Sequence, residues 1–411
     1  MTLWLSAGML FTFAAIAVIL VKWGNMKVIG VTPVHTLTFI AILFTSGLDV
    51  GLIMFPLTEF AGYANVSENP EYGFANPLAI EFGFWAFLIW GFYFLTCFYF
   101  AIIEPRVKFF DIPVVKVINN VVIIGTCAFT AYLLLANLPW YLPQLGDGES
   151  VVPAFYIIVF VSIALAVYSS SKLKYVRILS VGSSVLFIAL ISVMWVRAFV
   201  VGEGSPGDFF GTAGLLTEYF TNIHEFILPI NDYHEFYLFW WFAWSIMIGQ
   251  FTARFVSGIR TWQLLIAMLV IPSVAIGVWF TVLYQYHREG LEVLALTNIA
   301  MISVGVLMVI NSLDSLIRLY TDNLNLTAER FGQFNYLLFN FLAMAGLTML
   351  FKLEFLQIQW VGALVIALYF TCFAYILATK SRDVFSINSS PKENILDFHR
   401  VDEVDEAHSS A

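Results

Sequence analysis

The chain has 411 residues, 60% of them hydrophobic and only 11% charged, with a formal net charge of −9. Soluble proteins carry about 25% charged residues, so this composition excludes a water-soluble globule. No basic patch interleaved with aromatics is present, which leaves nucleic acid without a binding surface.

Eleven apolar segments follow one another, at residues 3–21, 34–56, 79–103, 116–137, 152–170, 177–199, 234–253, 262–285, 294–320, 331–352 and 356–378. Runs of this length cross a bilayer as helices, which predicts an all-α polytopic membrane protein with the lipid bilayer as its surroundings. The first segment lacks a basic n-region and a small-residue cleavage motif, so it reads as a retained spanning helix rather than a signal peptide. Two connecting stretches, 57–78 and 138–151, read as acidic loops. Residues 200–233 carry Pro206, Gly211, Asn222 and Asp232 among apolar residues, which suits a short interfacial helix beside a loop. Cys97, Cys127 and Cys372 fall within apolar runs and read as small buried hydrophobes. The terminal stretch holds Asp383, Glu393, Asp397, Asp402, Glu403, Asp405 and Glu406 and reads as a solvated acidic tail.

With the amino terminus outside, sixteen of the 19 basic residues fall on the cytoplasmic side and only Arg197, Arg288 and Lys352 remain outside. Such a bias sets orientation in the membrane, here with a cytoplasmic carboxyl terminus.

Polar interruptions single out candidate functional residues. The second segment contains Gly47-Leu48-Asp49-Val50-Gly51. Glycines four apart weaken a helix, and an aspartate is costly in hydrocarbon unless paired or hydrated. Two readings follow: a helix contact that satisfies the acid, or an unwound stretch lining a solute cavity, where Asp49 balances a cation or carries a proton. The third segment adds Trp85, Trp90 and Tyr93. In the seventh, Trp240 and Trp244 lie one helical turn apart and Trp241 about 100° round from Trp240. Tryptophan favours the membrane interfaces, so three indoles at mid-depth read instead as a box whose faces attract a desolvated cation. The ninth segment has a second polar break at Asn311-Ser312-Leu313-Asp314-Ser315. Its oxygens are hard ligands suited to Na⁺, with Asn311 and Ser312 as candidates; the same groups, Asp314 included, equally serve to cross-link helices. No paired acids, histidine-rich site or nucleophile constellation points to an enzyme.

The segment count divides the chain into an N-terminal peripheral helix with its linker at 1–33, a five-helix repeat at 34–199, a linker at 200–233, a second five-helix repeat at 234–378 and the tail at 379–411. Repeats with an odd number of crossings are related by inversion.

At these residues the chain resembles the betaine/carnitine/choline transporter family. The most specific stretch is Trp240-Trp241-Phe242-Ala243-Trp244, continuing through Gly249, Phe251, Ala253-Arg254, Gly258 and Arg260-Thr261. Gly47 to Gly51 is similar to the family's glycine-rich unwound helix, Trp85, Trp90 and Tyr93 to its aromatic pocket pattern, Asn311 to Ser315 to its ion-site segment, and Leu356-Gln357 to the start of its last core helix. Two departures stand out: Asp49 replaces the central glycine of the unwound motif, and Asn311 replaces a threonine. The resemblance implies a five-plus-five inverted-repeat fold, a homotrimer, and substrate binding by Trp240, Trp241, Trp244, Trp85, Trp90, Tyr93, Asp49, Gly47 and Gly51. It implies secondary transport of a small quaternary ammonium solute across the cytoplasmic membrane, with Na⁺ or H⁺ as coupling ion and no other cofactor. The competing reading is a membrane sensor or complex subunit that keeps the fold without transporting.

Overall fold

The computed structural model describes residues 1–46, 50–201 and 205–387. The tail beyond 387 and the centre of the glycine motif, Gly47 to Asp49, lie outside the described residues.

Apolar runs become helices, and prolines mark where several begin. Pro77, Pro113 and Pro153 each occupy the first turn, where a missing N–H costs nothing and the fixed φ suits a helix. In chain order the main elements are α1 (Thr2–Trp23), β1 (Lys27–Ile29), α2 (Thr36–Ser46), α3 (Val50–Ala64), α4 (Pro77–Trp85) and α5 (Trp90–Phe98). Then come α6 (Pro113–Tyr141), α7 (Pro153–Ser170), α8 (Leu173–Val196), α9 (Asp232–Thr252), β2 (Ser257–Arg260), α10 (Thr261–Arg288), α11 (Ala295–Asn323), α12 (Gln333–Lys352) and α13 (Ile358–Tyr375). Among the described residues, nine helical segments are long and apolar enough to cross a membrane. Rows such as Ile157, Val161 and Leu165 on α7 stay exposed at one-turn spacing, the pattern of a face that meets lipid. The protein is an all-α, multi-pass membrane protein.

The linker between α8 and α9 forms short helices at Pro206–Gly214, Thr217–Thr221 and Ile223–Phe226 rather than another span. Both stretches read as acidic loops are partly helical: α3 continues to Ala64 and α6 to Tyr141. A two-stranded antiparallel ribbon, unexpected in an all-α chain, pairs Lys27–Ile29 with Ser257–Arg260. The glycine of the signature stretch, Gly258, lies there with φ +82°, a conformation that only glycine adopts without strain.

Two expectations about broken helices need correcting. The ninth segment is not interrupted: α11 runs unbroken through Asn311–Ser315, and all five residues are fully buried. Side chains of neighbouring helices satisfy its polar groups. Ser180 donates to Asn311 Oδ1 at 2.8 Å, and Ser169 to Asp314 Oδ2 at 2.5 Å. Buried polar pairs of this kind stitch helices together without unwinding backbone. The third segment, read as one apolar span, breaks within the described residues. Helix α4 ends at Trp85, Ala86 is extended, and Phe87 takes φ +53°, a region bulky residues rarely enter.

Helix α9 lies at the centre, packed against α5 and α13, and 16 of its 21 residues are buried. Small residues permit those close crossings: a Cβ on Gly249 would overlap the Thr96 side chain of α5, and one on Gly362 of α13 would overlap the Phe239 carbonyl. At the start of α4, the Asn76 side chain accepts from the Ala79 N–H at 3.0 Å and donates to the Leu215 carbonyl at 2.9 Å. Asn76→Ala removes a helix cap and this tether to the outer short helices, and is expected to cost about 1–2 kcal/mol. The midpoint of thermal unfolding in detergent measures it; an unshifted midpoint would deny the cap its role.

Candidate functional site

The break after Trp85 organises the site. Unwinding a helix inside a membrane frees backbone groups that must find partners within the protein. Here the Phe87 N–H donates to Ser273 Oγ of α10 at 2.7 Å, and the Leu88 N–H to the Tyr219 hydroxyl at 3.4 Å. Two indoles from the candidate set take the carbonyls before the break: Trp241 Nε1 donates to Phe84 at 2.8 Å, and Trp90 Nε1 to Trp85 at 3.2 Å. Trp241 and Trp90 thus hold the broken segment in place through their polar edges.

Trp85 is the hub of the aromatic cluster. Its ring meets Trp241 at 5.2 Å, Tyr237 at 5.6 Å and Trp240 at 5.7 Å, all edge to face, with Phe55 of α3 at 6.0 Å. Trp240 and Trp241 stack on each other at 4.9 Å, and Phe129 of α6 closes against Trp240 at 6.2 Å. Each edge-to-face contact is worth about 0.5–1.5 kcal/mol beyond burial. Trp244 lies buried one turn further along α9. Trp90 and Tyr93 pair with each other at 5.3 Å beyond the break, and both are buried.

The structure therefore brings Trp85, Trp240 and Trp241 into one cluster, with Trp244 next along the same helix. The rings close on one another, beside a backbone that leaves the helix at residues 86 and 87. Three indole N–H groups, on Trp85, Trp240 and Trp244, are buried with no protein acceptor among the described residues. An unpaired buried donor costs about 1–3 kcal/mol, which favours a guest that carries an acceptor.

The remaining candidates divide. Asp49 and Gly47 lie outside the described residues; Gly51 is buried in the first turn of α3, where the neighbouring Leu52 carbonyl accepts from Trp279 Nε1 at 3.0 Å. Asn311 and Ser312 lie buried in the seam between α11 and α8, and no group of three or more His, Cys, Asp or Glu side chains is placed to hold a metal among the described residues. Arg254 of the signature stretch pairs with Asp322 at 3.3 Å at the end of α9 remote from Tyr233. A cavity of about 290 Å³ lined by Phe11, Trp23, Tyr99 and Tyr369 lies elsewhere, between α1, α5 and α13, and is almost wholly apolar.

The sequence reading missed several residues. Tyr237 is one turn before Trp241 and completes the cluster, a neighbour that helical spacing makes visible. Paired acids, expected to be absent, are present: Glu59 and Glu81 face each other beside Trp85. Glu59 was assigned to a loop, and only the extension of α3 brings it opposite α4.

No protein-family model matches the chain. A glycine betaine transporter, OpuD, of Bacillus subtilis is 23% identical over 66% of this chain and 59% of its own length. A glycine betaine/proline/choline/ectoine transporter of Vibrio parahaemolyticus is 23% identical over 66% of this chain and 54% of its own. An uncharacterized transporter of Haemophilus influenzae is 24% identical over 60% of this chain and 41% of its own. The chain thus matches about half the length of these relatives. The substrate-bound, outward-open structure of a Na⁺-coupled sialic acid symporter aligns over 93% of this chain and 82% of its own at 15% identity and a TM-score of 0.37. These relatives, similar to the chain at 23–24% identity, are named as transporters, two of them for glycine betaine.

Proposed function

We propose that the protein is a secondary transporter of a small quaternary ammonium solute of the betaine, choline or carnitine type, working by alternating access across the cytoplasmic membrane. The observation that carries this reading is the indole cluster with three buried N–H donors that lack protein acceptors among the described residues. Aromatic faces suit a methylated ammonium, which sheds its hydration more readily than a compact one, and the indole N–H groups suit the carboxylate or hydroxyl at the solute's other end. The names of two relatives, which mention glycine betaine and choline, support that choice. In this reading the amino terminus is outside, 34–199 and 234–378 are inverted five-helix repeats, and transport is driven by Na⁺ or H⁺. Trp85, Trp240, Trp241 and Trp244 contact the solute. Trp90 and Tyr93, together with Gly47, Asp49 and Gly51 of the glycine motif, border its path, and Asn311 and Ser312 are the residues for a coupling Na⁺.

Uptake of labelled glycine betaine, choline and carnitine into proteoliposomes, with each ion gradient varied separately, tests this. Accumulation above equilibrium is expected for at least one solute. Binding in detergent without flux would favour a sensor instead. Trp244→Ala is expected to weaken binding about 2–30-fold, from a cation–π contribution of about 0.5–2 kcal/mol. Phe339→Ala, at an exposed position of α12, serves as the control. Equal binding by the two variants across all three solutes would remove Trp244 from the site.

A further inference from the structure

Next to the aromatic cluster, one turn before Trp85 on α4, the Glu81 side chain is fully buried. No donor lies within hydrogen-bond distance of either of its oxygens among the described residues. The groups facing it are Glu59 and Tyr63 of α3 and the Trp85 indole, whose own N–H lacks an acceptor within hydrogen-bond distance. Tyr72, Tyr233 and Tyr237 are also within electrostatic reach.

Glu59 covers Glu81 from the side nearer the surface. It accepts from the Tyr63 hydroxyl at 2.7 Å, from Tyr237 at 3.1 Å and from Tyr233, a residue 41% exposed. A path thus runs from the exposed Tyr233 through the part-buried Glu59 to the sealed Glu81. Other ionisable groups on the surrounding elements are engaged elsewhere. His234 stacks on Phe84 at 4.5 Å, and Glu218 accepts from the Asn76 N–H at 2.7 Å. On α10, Tyr284 and His287 pack against Phe60; in the short helix Ile223–Phe226, His224 lies 3.3 Å from Glu225. At the edge, Glu71 accepts from the Asn231 amide at 2.7 Å, a bond that holds its carboxyl below the usual value. Among the described residues, none of the groups named above as facing Glu81 is a lysine or arginine.

Two carboxylates side by side in a dry, low-dielectric setting are costly when both are ionised, and a proton between them is the smallest species that removes the repulsion. The tyrosine hydroxyls already serve Glu59, so Glu81 is the half of the pair left without a partner. We infer that Glu59 and Glu81 form a site for one shared proton, taken from the surface bearing Tyr233, and that loading it lets the tyrosine layer close over the indole cluster. The O–H bond formed on loading breaks on release; no oxidant or other reactant is involved. The coupling role rests on the transport reading above, whereas the proton site itself does not.

Two measurements separate them. With no solute present, infrared spectra of the purified full-length protein at neutral pH are expected to show a protonated-carboxyl stretch that Glu81→Gln removes. Lack of that band in folded wild-type protein overturns the site. Glu59→Gln, at a less buried position, is the second variant should Glu81→Gln fail to elute as a folded species, and it is expected to shift or remove the same band. Binding of glycine betaine and choline is then titrated against pH at fixed K⁺ and at fixed Na⁺. Closure linked to one proton makes the wild-type affinity fall about tenfold per pH unit as pH rises through the linked range, and leaves the Gln variants flat. A slope that follows Na⁺ rather than pH, or equal slopes in wild type and variants, overturns the coupling role. If neither solute binds, the transport reading fails while the infrared result still decides the proton site.

Discussion

Trp85→Ala is expected to cost about 3–5 kcal/mol of stability and to abolish solute binding. The residue is a fully buried tryptophan, with edge-to-face contacts to Trp240, Trp241 and Tyr237. Truncation leaves a cavity at the end of α4, beside a backbone already held at an unusual φ by partners from α10 and the outer short helices. The helix break would lose its anchor along with the cluster. Trp85→Phe keeps an aromatic face and is expected to recover most of the stability but less of the binding, since the indole N–H is gone. Thermal unfolding in detergent and binding of labelled glycine betaine measure the two effects. An alanine variant as stable and as competent as wild type would show that Trp85 organises nothing.

Gly249→Val is the second large effect. The added Cβ would come within 2.6 Å of the Thr96 backbone carbon and overlap that residue's side chain. Real Cβ atoms do not approach so closely, so α5 and α9 must separate. Overpacking of a tight core commonly costs about 1–3 kcal/mol, and a clash with backbone cannot be relieved by a rotamer change, which puts this substitution at or above that range. Separation also breaks the 2.7 Å bond from the Thr96 hydroxyl to the Ser245 carbonyl. Adding Thr96→Ala removes the side-chain overlap only, so the double variant is expected to regain part of the loss. Full recovery in the double variant, or no loss in the single one, would contradict the close crossing.

Some of this was legible in the sequence. The composition and the apolar runs fix a multi-pass helical membrane protein, because hydrocarbon leaves helices as the way for such segments to satisfy their backbone. The spacing of Trp240, Trp241 and Trp244 marked the helix that proves to be central and nearly all buried. Other features were misplaced for identifiable reasons. Asn311 to Ser315 looks like an interruption because local polarity is the same whether a helix unwinds or stays intact; here the helix stays intact, with Ser169 and Ser180, far away in the chain, donating to Asp314 and Asn311. The stretch from Gly83 to Phe92 carries no proline and reads as continuous helix, yet it breaks at Ala86, where the partners that make a break tolerable come from Trp241, Ser273 and Tyr219.

The sequence by itself determined the class of protein and the helix that bears the tryptophans, since these follow from periodicity and hydropathy within single segments. Only the tertiary structure decided which helix breaks, which indoles spend their N–H groups on backbone carbonyls, and that Glu59 meets Glu81. Those outcomes depend on what lies opposite each side chain, and the groups opposite are more than a hundred residues distant in three of the four contacts that hold the break.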